Sequence, residues 1–142
     1  MLAVEPQIIE TYVATGQVQL VFRPVLNHDE RSLLTSEAAA CALEQNQFWP
    51  MHELLFQRQR DVWFAAEDDL PALMRSYAEE IGLDLATFDA CVDASEARAL
   101  VQALDAEQRQ RGIRVQPIFE ISDQRLIGFQ SFETFQRIID NQ

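Results

Sequence analysis

Cysteine is the residue type here best suited to covalent chemistry, and the sequence carries two, Cys41 and Cys91. Neither belongs to a C-x-x-C pair, and two cysteines with two histidines, His28 and His52, offer no zinc-site spacing. Cys41 stands mid-helix among Ala38, Ala39, Ala40 and Ala42, a pattern that reads as buried. Cys91 lies near a helix end between Asp89 and Asp93. Negative neighbours and a negative helix end disfavour a thiolate, so a redox or nucleophilic role is the least favoured reading of either. His52 in "WPMHELLF" invites a metalloprotease reading, but H-E-x-x-H needs a second histidine where Phe56 stands. Helix packing is expected of it instead. His28 sits in a polar loop and reads as solvated. Glu67, Asp68 and Asp69 precede a helix and are expected to serve its N-terminus rather than a cation. Trp49, Trp63 and Phe64 offer a peptide-binding surface as one reading and core as the favoured one. No phosphate-binding loop, dinucleotide fingerprint or nucleophile elbow occurs. The expectation is no catalytic residue, no metal and no cofactor.

Pro117, in "GIRVQPIFEIS", poses a different question. It opens what reads as a strand, and proline cannot donate to a sheet ladder, so it belongs at a strand start, an edge or a bulge. An X-Pro bond also has access to the cis form, which shapes tight turns.

The elements that position these residues follow from pattern. "VEPQIIETYVATG" reads as a short helix, with Pro6 at its first turn, Ile8, Ile9, Tyr12 and Val13 on one face, and Gly16 closing it. "QVQLVF", residues 17–22, alternates Val18, Leu20 and Phe22 and predicts a strand, followed by a loop through Pro24, Asn27, His28 and Asp29. Residues 32–111 are almost wholly helical in pattern, with Ser32 or Thr35, Asp68 or Asp69, and Ser95 as caps and Gly82 and Gly112 as stops. "PIFEIS" predicts a strand, "SDQR" a turn and "LIGF" the returning arm of a hairpin. Ser131 caps a closing helix with Phe132, Phe135, Ile138 and Ile139 inward. The order is an α/β pattern with a large helical block at about 32–111.

Composition agrees with one domain spanning residues 1–142. A chain of this length buries about two-thirds of its unfolded surface, and 48% hydrophobic residues with 4 Gly and 5 Pro describe a globular protein. Lysine is absent, and 23 acids against 11 bases give a net charge of −12. Phosphate surfaces need clustered cations, so neither nucleic acid nor anionic membrane is an expected partner. No apolar run is long enough to span a bilayer, and "MLAVEPQII" lacks the basic region and cleavage site of a signal peptide. A chain that begins in this way stays in the cytoplasm or has already been processed.

Four stretches, in order, resemble the DsbA-like branch of the thioredoxin superfamily. "IETYVATGQVQLVFRP" looks like that family's first helix running into a strand, and "SEAAACALEQNQFWPMHELLF" resembles its A-A-x-C-A-x-x-Q-x-x-F-W-x-M-H-x-x-L-F run. "YAEEIGLDLATFDACVDAS" is similar to its G-L-D segment, and "GIRVQPIFEISDQRLIGFQSFETF" to its cis-proline, hairpin and last helix. The resemblance implies a thioredoxin-like fold and thiol–disulfide exchange by a C-x-x-C at a helix start, often outside the cytoplasm. It implies that Pro117 is the cis-proline and that Val115, Gln116 and Pro117 hold an extended polypeptide substrate. In some family members the positions of Cys41 and Cys91 form a second, non-catalytic bridge, which stands here as the alternative to separate burial.

The chain departs from that pattern. Met1 falls within the first helix, after the place of the C-x-x-C, which implies a truncated chain whose central strand is missing. "V-Q-P" also replaces the family's usual small or β-branched residue before the proline. A sheet without its central strand leaves unpaired backbone at an apolar edge, and such edges recruit other chains. The expectation is therefore a relative of the disulfide oxidoreductases that is redox-inactive as given, assembled as a homodimer or larger. The alternative is a non-catalytic module that binds peptide, or itself, through the cis-proline loop and the open sheet edge.

Overall fold

The computed structural model describes residues 3–142; Met1, expected inside the first helix, lies outside them. Helix α1 (Glu5–Ile8) has Pro6 in its first turn, where a missing N–H costs no hydrogen bond. It continues as a π-helical turn over Ile9–Val13, in which Ala14 N–H donates to Ile9 O at 2.8 Å. The helical block comprises α2 (Asp29–Glu44), α3 (Phe48–Gln57), α4 (Gln59–Phe64), α5 (Leu70–Glu80), α6 (Leu85–Ala94) and α7 (Glu96–Gln110). A hairpin of β1 (Ile118–Ile121) and β2 (Gln124–Ile127) follows, and α8 (Phe132–Ile139) closes the chain.

Several caps differ from expectation. Helix α2 begins at Asp29, ahead of Ser32 and Thr35, because the Ser32 hydroxyl reaches back to accept from His28 N–H at 3.0 Å. Thr35 instead donates to the carbonyl of Arg31, one turn earlier, at 2.8 Å. Asp68 and Asp69 form a short 3₁₀ turn before α5 without a side-chain cap. Ser95 makes no cap bond either; with φ at +59° it is the left-handed joint that turns α6 into α7. Asp84 and Ser131 do cap, accepting from the N–H of Thr87 and of Thr134 respectively.

The largest correction concerns residues 17–22, which form no strand. Val18, Leu20 and Phe22 are half-buried while Gln17, Gln19 and Val21 are exposed, so the predicted alternation is present. A strand also needs a partner ladder, and the described residues hold one sheet, the antiparallel pair β1–β2. Its register, Ile118 opposite Ile127 and Ile121 opposite Gln124, leaves Ser122 and Asp123 as a two-residue turn. The returning arm thus starts two residues before the expected "LIGF".

Two buried clusters carry the fold. The larger unites α2, α3, α5 and α6 around Ala38, Ala42, Met51, Leu70, Met74, Tyr77 and Phe88. Burying side chains the size of Met51 or Leu70 contributes about 2 kcal/mol each. Within this cluster Cys41 of α2 and Cys91 of α6 are joined in a disulfide, the arrangement the resemblance implied. The favoured reading, two separately buried thiols, is thereby corrected: burial holds, and the sulfurs are bonded. Nearby, Gln45 donates to Asp84 O at 3.1 Å and accepts from Asp84 N–H at 2.9 Å, pinning the end of α2 to the start of α6. The buried Glu37 carboxylate meets Arg98 Nε at 3.3 Å, and Arg98 also reaches Glu30 at 2.8 Å.

The smaller cluster joins α1, the hairpin and α8 through Val4, Ile8 and Phe135, with Phe119, Ile121 and Leu126 against them. The rings of Phe119 and Phe135 meet edge to face at 4.8 Å. Tyr12 donates to Asp140 at 2.8 Å, and burial followed by that carboxylate raises the phenol pKa.

The irregular segment between α1 and α2 is anchored at its far end. Leu26 N–H donates to Asp105 at 2.8 Å and Leu26 O accepts from Arg109 at 2.9 Å, while Arg109 pairs with Asp105 at 2.7 Å. Burial pushes the Asp105 carboxyl up, but the hydrogen bonds from Arg109 and Leu26 outweigh it and leave the pKa lowered.

Two outcomes are expected. The disulfide joins residues 50 positions apart, so changing Cys41 and Cys91 together to serine should cost about 4 kcal/mol in urea unfolding; an unchanged midpoint would contradict a bridge that holds α2 to α6. Asp105→Ala should cost about 2 kcal/mol at neutral pH. A depressed carboxyl stabilises the fold above about pH 4 and stops doing so as pH falls through its folded pKa. The difference from the parent chain should therefore shrink on acidification, and a gap that widens there would refute the assignment.

Candidate functional site

The loop from Gly112 to Pro117 is built from both ends. Gly112 takes φ +80° where α7 stops, and Ile113 N–H donates to Gln108 O at 3.0 Å with both side chains buried. Asn27 donates to Arg114 O at 3.3 Å, tying the loop to the segment ahead of α2. At the far end the Gln116–Pro117 peptide is cis, and Pro117 O accepts from Gly128 N–H at 2.9 Å. Pro117 directly precedes β1, the strand-start position expected of it.

Between these anchors Val115 and Gln116 are exposed, and neither makes a backbone hydrogen bond to another described residue. The Gly128 bond sets Ile127 and Phe129 on either side of the residue that contacts Pro117, and these side chains are 62% and 73% exposed. Val115 on the loop and Ile127 and Phe129 at the end of the hairpin are thus exposed apolar side chains. On β1, Glu120 bonds to Arg125 at 2.7 Å and also to Arg111. Those pairs hold its carboxyl pKa low, Arg125 contributing most. They brace the start of the loop against the hairpin.

The remaining candidates sort differently. Cys41 and Cys91 lie in the helical block rather than at the loop, and no free cysteine is found among the described residues. His52 packs as expected, its ring 4.8 Å from those of both Phe22 and Phe56. It also meets Glu5 at 3.2 Å, a partner 47 positions away that spacing gave no means to find. His28 is exposed and stands edge-on to Trp63 at 5.2 Å. Glu67, Asp68 and Asp69 are exposed, and no cluster of metal-ligating side chains occurs among the described residues.

The core reading of Trp49, Trp63 and Phe64 is corrected. Trp63 is 53% exposed, Phe64 77%, and Trp49 lies at the surface on Phe48 and His52. Helix α4 buries Val62, and Trp63 and Phe64 lie about 100° and 200° round the helix from it, off its inward face.

Comparison with known proteins agrees with this geometry. A sequence model described as thioredoxin matches residues 2–141. The crystal structure of alpha-DsbA1 from Wolbachia pipientis superposes with a TM-score of 0.77 at 20% identity, covering 97% of this chain and 74% of that one. That likeness establishes a thioredoxin-like fold. The chain is also 33% identical over 105 residues to the Na(+)/H(+) antiporter NhaA 3 of Salinispora tropica. The match takes in 72% of this chain and spans 15% of the antiporter's length. Among the described residues no helix is long and apolar enough to cross a membrane.

If Ile127 and Phe129 serve contact rather than folding, exchanging both for serine should leave the unfolding free energy within about 0.5 kcal/mol. A loss of several kcal/mol in a denaturant titration would make them part of the core instead.

Proposed function

The chain belongs to the thioredoxin family, and from that premise we propose that it is a polypeptide-holding relative of the DsbA-like disulfide oxidoreductases that performs no dithiol chemistry of its own. One observation carries the reading: its only two sulfhydryl side chains are spent on a buried disulfide between α2 and α6. Thiol–disulfide exchange requires a thiolate that attacks a substrate sulfur and a second thiol that resolves the mixed disulfide. A bond locked inside the helical core supplies neither.

What remains is recognition. Val115 and Gln116 keep backbone donors and acceptors that bond no other described backbone, and Ile127 and Phe129 add apolar area beside Pro117. An extended segment docked there bonds main chain to main chain and buries its own apolar side chains, the mode by which sheets take up peptides. Gln116 carries a long, exposed side chain at the position before the proline, so it adds an amide donor and acceptor to whatever lies across the loop.

The antiport named for the Salinispora tropica protein is not carried over, since this chain matches 15% of that protein. Self-association stands as the second reading. It is favoured by the same exposed groups, Val115, Ile127 and Phe129, which a second copy also covers.

Insulin reduction in the presence of dithiothreitol should proceed at the uncatalysed rate. Turnover like that of a dithiol enzyme would refute the reading. Light scattering at micromolar concentration separates the two binding modes: a monomer favours polypeptide holding, and a stable dimer favours self-association.

A further inference from the structure

A groove of about 410 Å³ lies in the helical block, with α2, α5 and α6 as its walls. That volume is within the roughly 300–1,000 Å³ of small-molecule sites. Leu34 and Ala38 of α2, Met74 of α5, and Phe88 and Val92 of α6 give it an apolar lining. We propose that the groove binds a small organic cation, an ammonium group carried on an aromatic or branched aliphatic body.

Size sets the first limit on the occupant. The lining falls within residues 34–38, 71–75 and 88–93, so each helix lends a rise of about 6–8 Å. That length holds one compact molecule and is too short for an extended peptide of several residues.

Charge sets the second. Glu37, Asp89 and Asp93 line the groove against one cation, Arg75. Arg75 is committed to Asp89, its Nε donating at 2.9 and 3.1 Å to the two carboxylate oxygens and its Nη2 at 3.1 Å. Asp93, one turn further along α6, is exposed and has no ion-pair partner among the described residues. Two carboxylates four residues apart repel, and a cation between them relieves that repulsion. Asp93 also stands in the last turn of α6, which holds no basic residue, so the negative helix end is uncompensated there. The positive end of α5 follows Glu67, Asp68 and Asp69, which offset it.

The buried wall makes the same demand. The Glu37 side chain is 3% exposed. Arg98 gives its shorter bond to Glu30, at 2.8 Å, and reaches the two Glu37 oxygens at 3.3 Å. An ionised carboxylate accepts about four hydrogen bonds, so Glu37 has capacity left over after the contacts it makes among the described residues. An ammonium brings N–H donors to such a group, whereas an anionic ligand brings only acceptors.

The test uses the intact, isotope-labelled chain and three probes that share one ring system: naphthylmethylammonium, naphthylmethanol and naphthylacetate. The ammonium should bind saturably, with amide shifts in the NMR spectrum centred on 34–38, 71–75 and 88–93. The carboxylate should bind about tenfold more weakly or worse. Asp93→Asn, at an exposed position, should weaken the ammonium and leave the alcohol unchanged. Ala72→Trp, also exposed and on the groove, should crowd its mouth and weaken every probe. Absence of saturable ammonium binding would overturn the proposal, as would equal affinity for the carboxylate or binding that neither substitution moves. Shifts at these residues that grow with protein concentration before any probe is added would assign the groove to a second copy and overturn it as well.

Discussion

Main-chain hydrogen bonding is the constraint on which this structure depends. A strand-like segment must find partners for its N–H and C=O groups, and the residues between α1 and α2 find few. Their side chains alternate as a strand's do, yet no ladder lies beside them among the described residues. The consequence reaches β1, which has one pairing partner among the described residues, and Val115 and Gln116, which make no backbone bond to another described residue.

The helical block supplies the rigidity that lets these groups stay unpaired without collapse. Its core is closed by the Cys41–Cys91 bridge, by the reciprocal Gln45–Asp84 bonds and by the Glu37–Arg98–Glu30 cluster. From α7, Asp105 and Arg109 reach across to fix Leu26, and Gln108 fixes Ile113. One helix thus anchors both the irregular segment ahead of α2 and the loop that ends at Pro117. The sulfurs strengthen the scaffold and are buried within it.

Much of this was legible in the sequence, for identifiable reasons. The helices announced themselves by periodicity, and Pro117 and the hairpin by turn chemistry, because both signals are local. Side-chain alternation in residues 17–22 was read correctly, while the strand was not, because pairing belongs to the partner and not to the segment. Ser32 and Ser95 misled as caps for a related reason: Ser32 bonds backward to His28, and Ser95 adopts a left-handed joint. The exposure of Trp63 and Phe64 follows from α4 burying the face of Val62, and aromatic type alone does not say which face of a short helix turns inward. The bond between Cys41 and Cys91 came from resemblance alone, since nothing local relates two cysteines on different helices.

The most direct test of the account is amide hydrogen exchange on the protein alone. Residues 19–23 and the outward-facing amides of β1 should exchange far faster than the cores of α2 and α7, as main chain without partners must. Protection at 19–23 equal to that of α2 would mean these groups already have partners, and would contradict the open edge on which the reading stands.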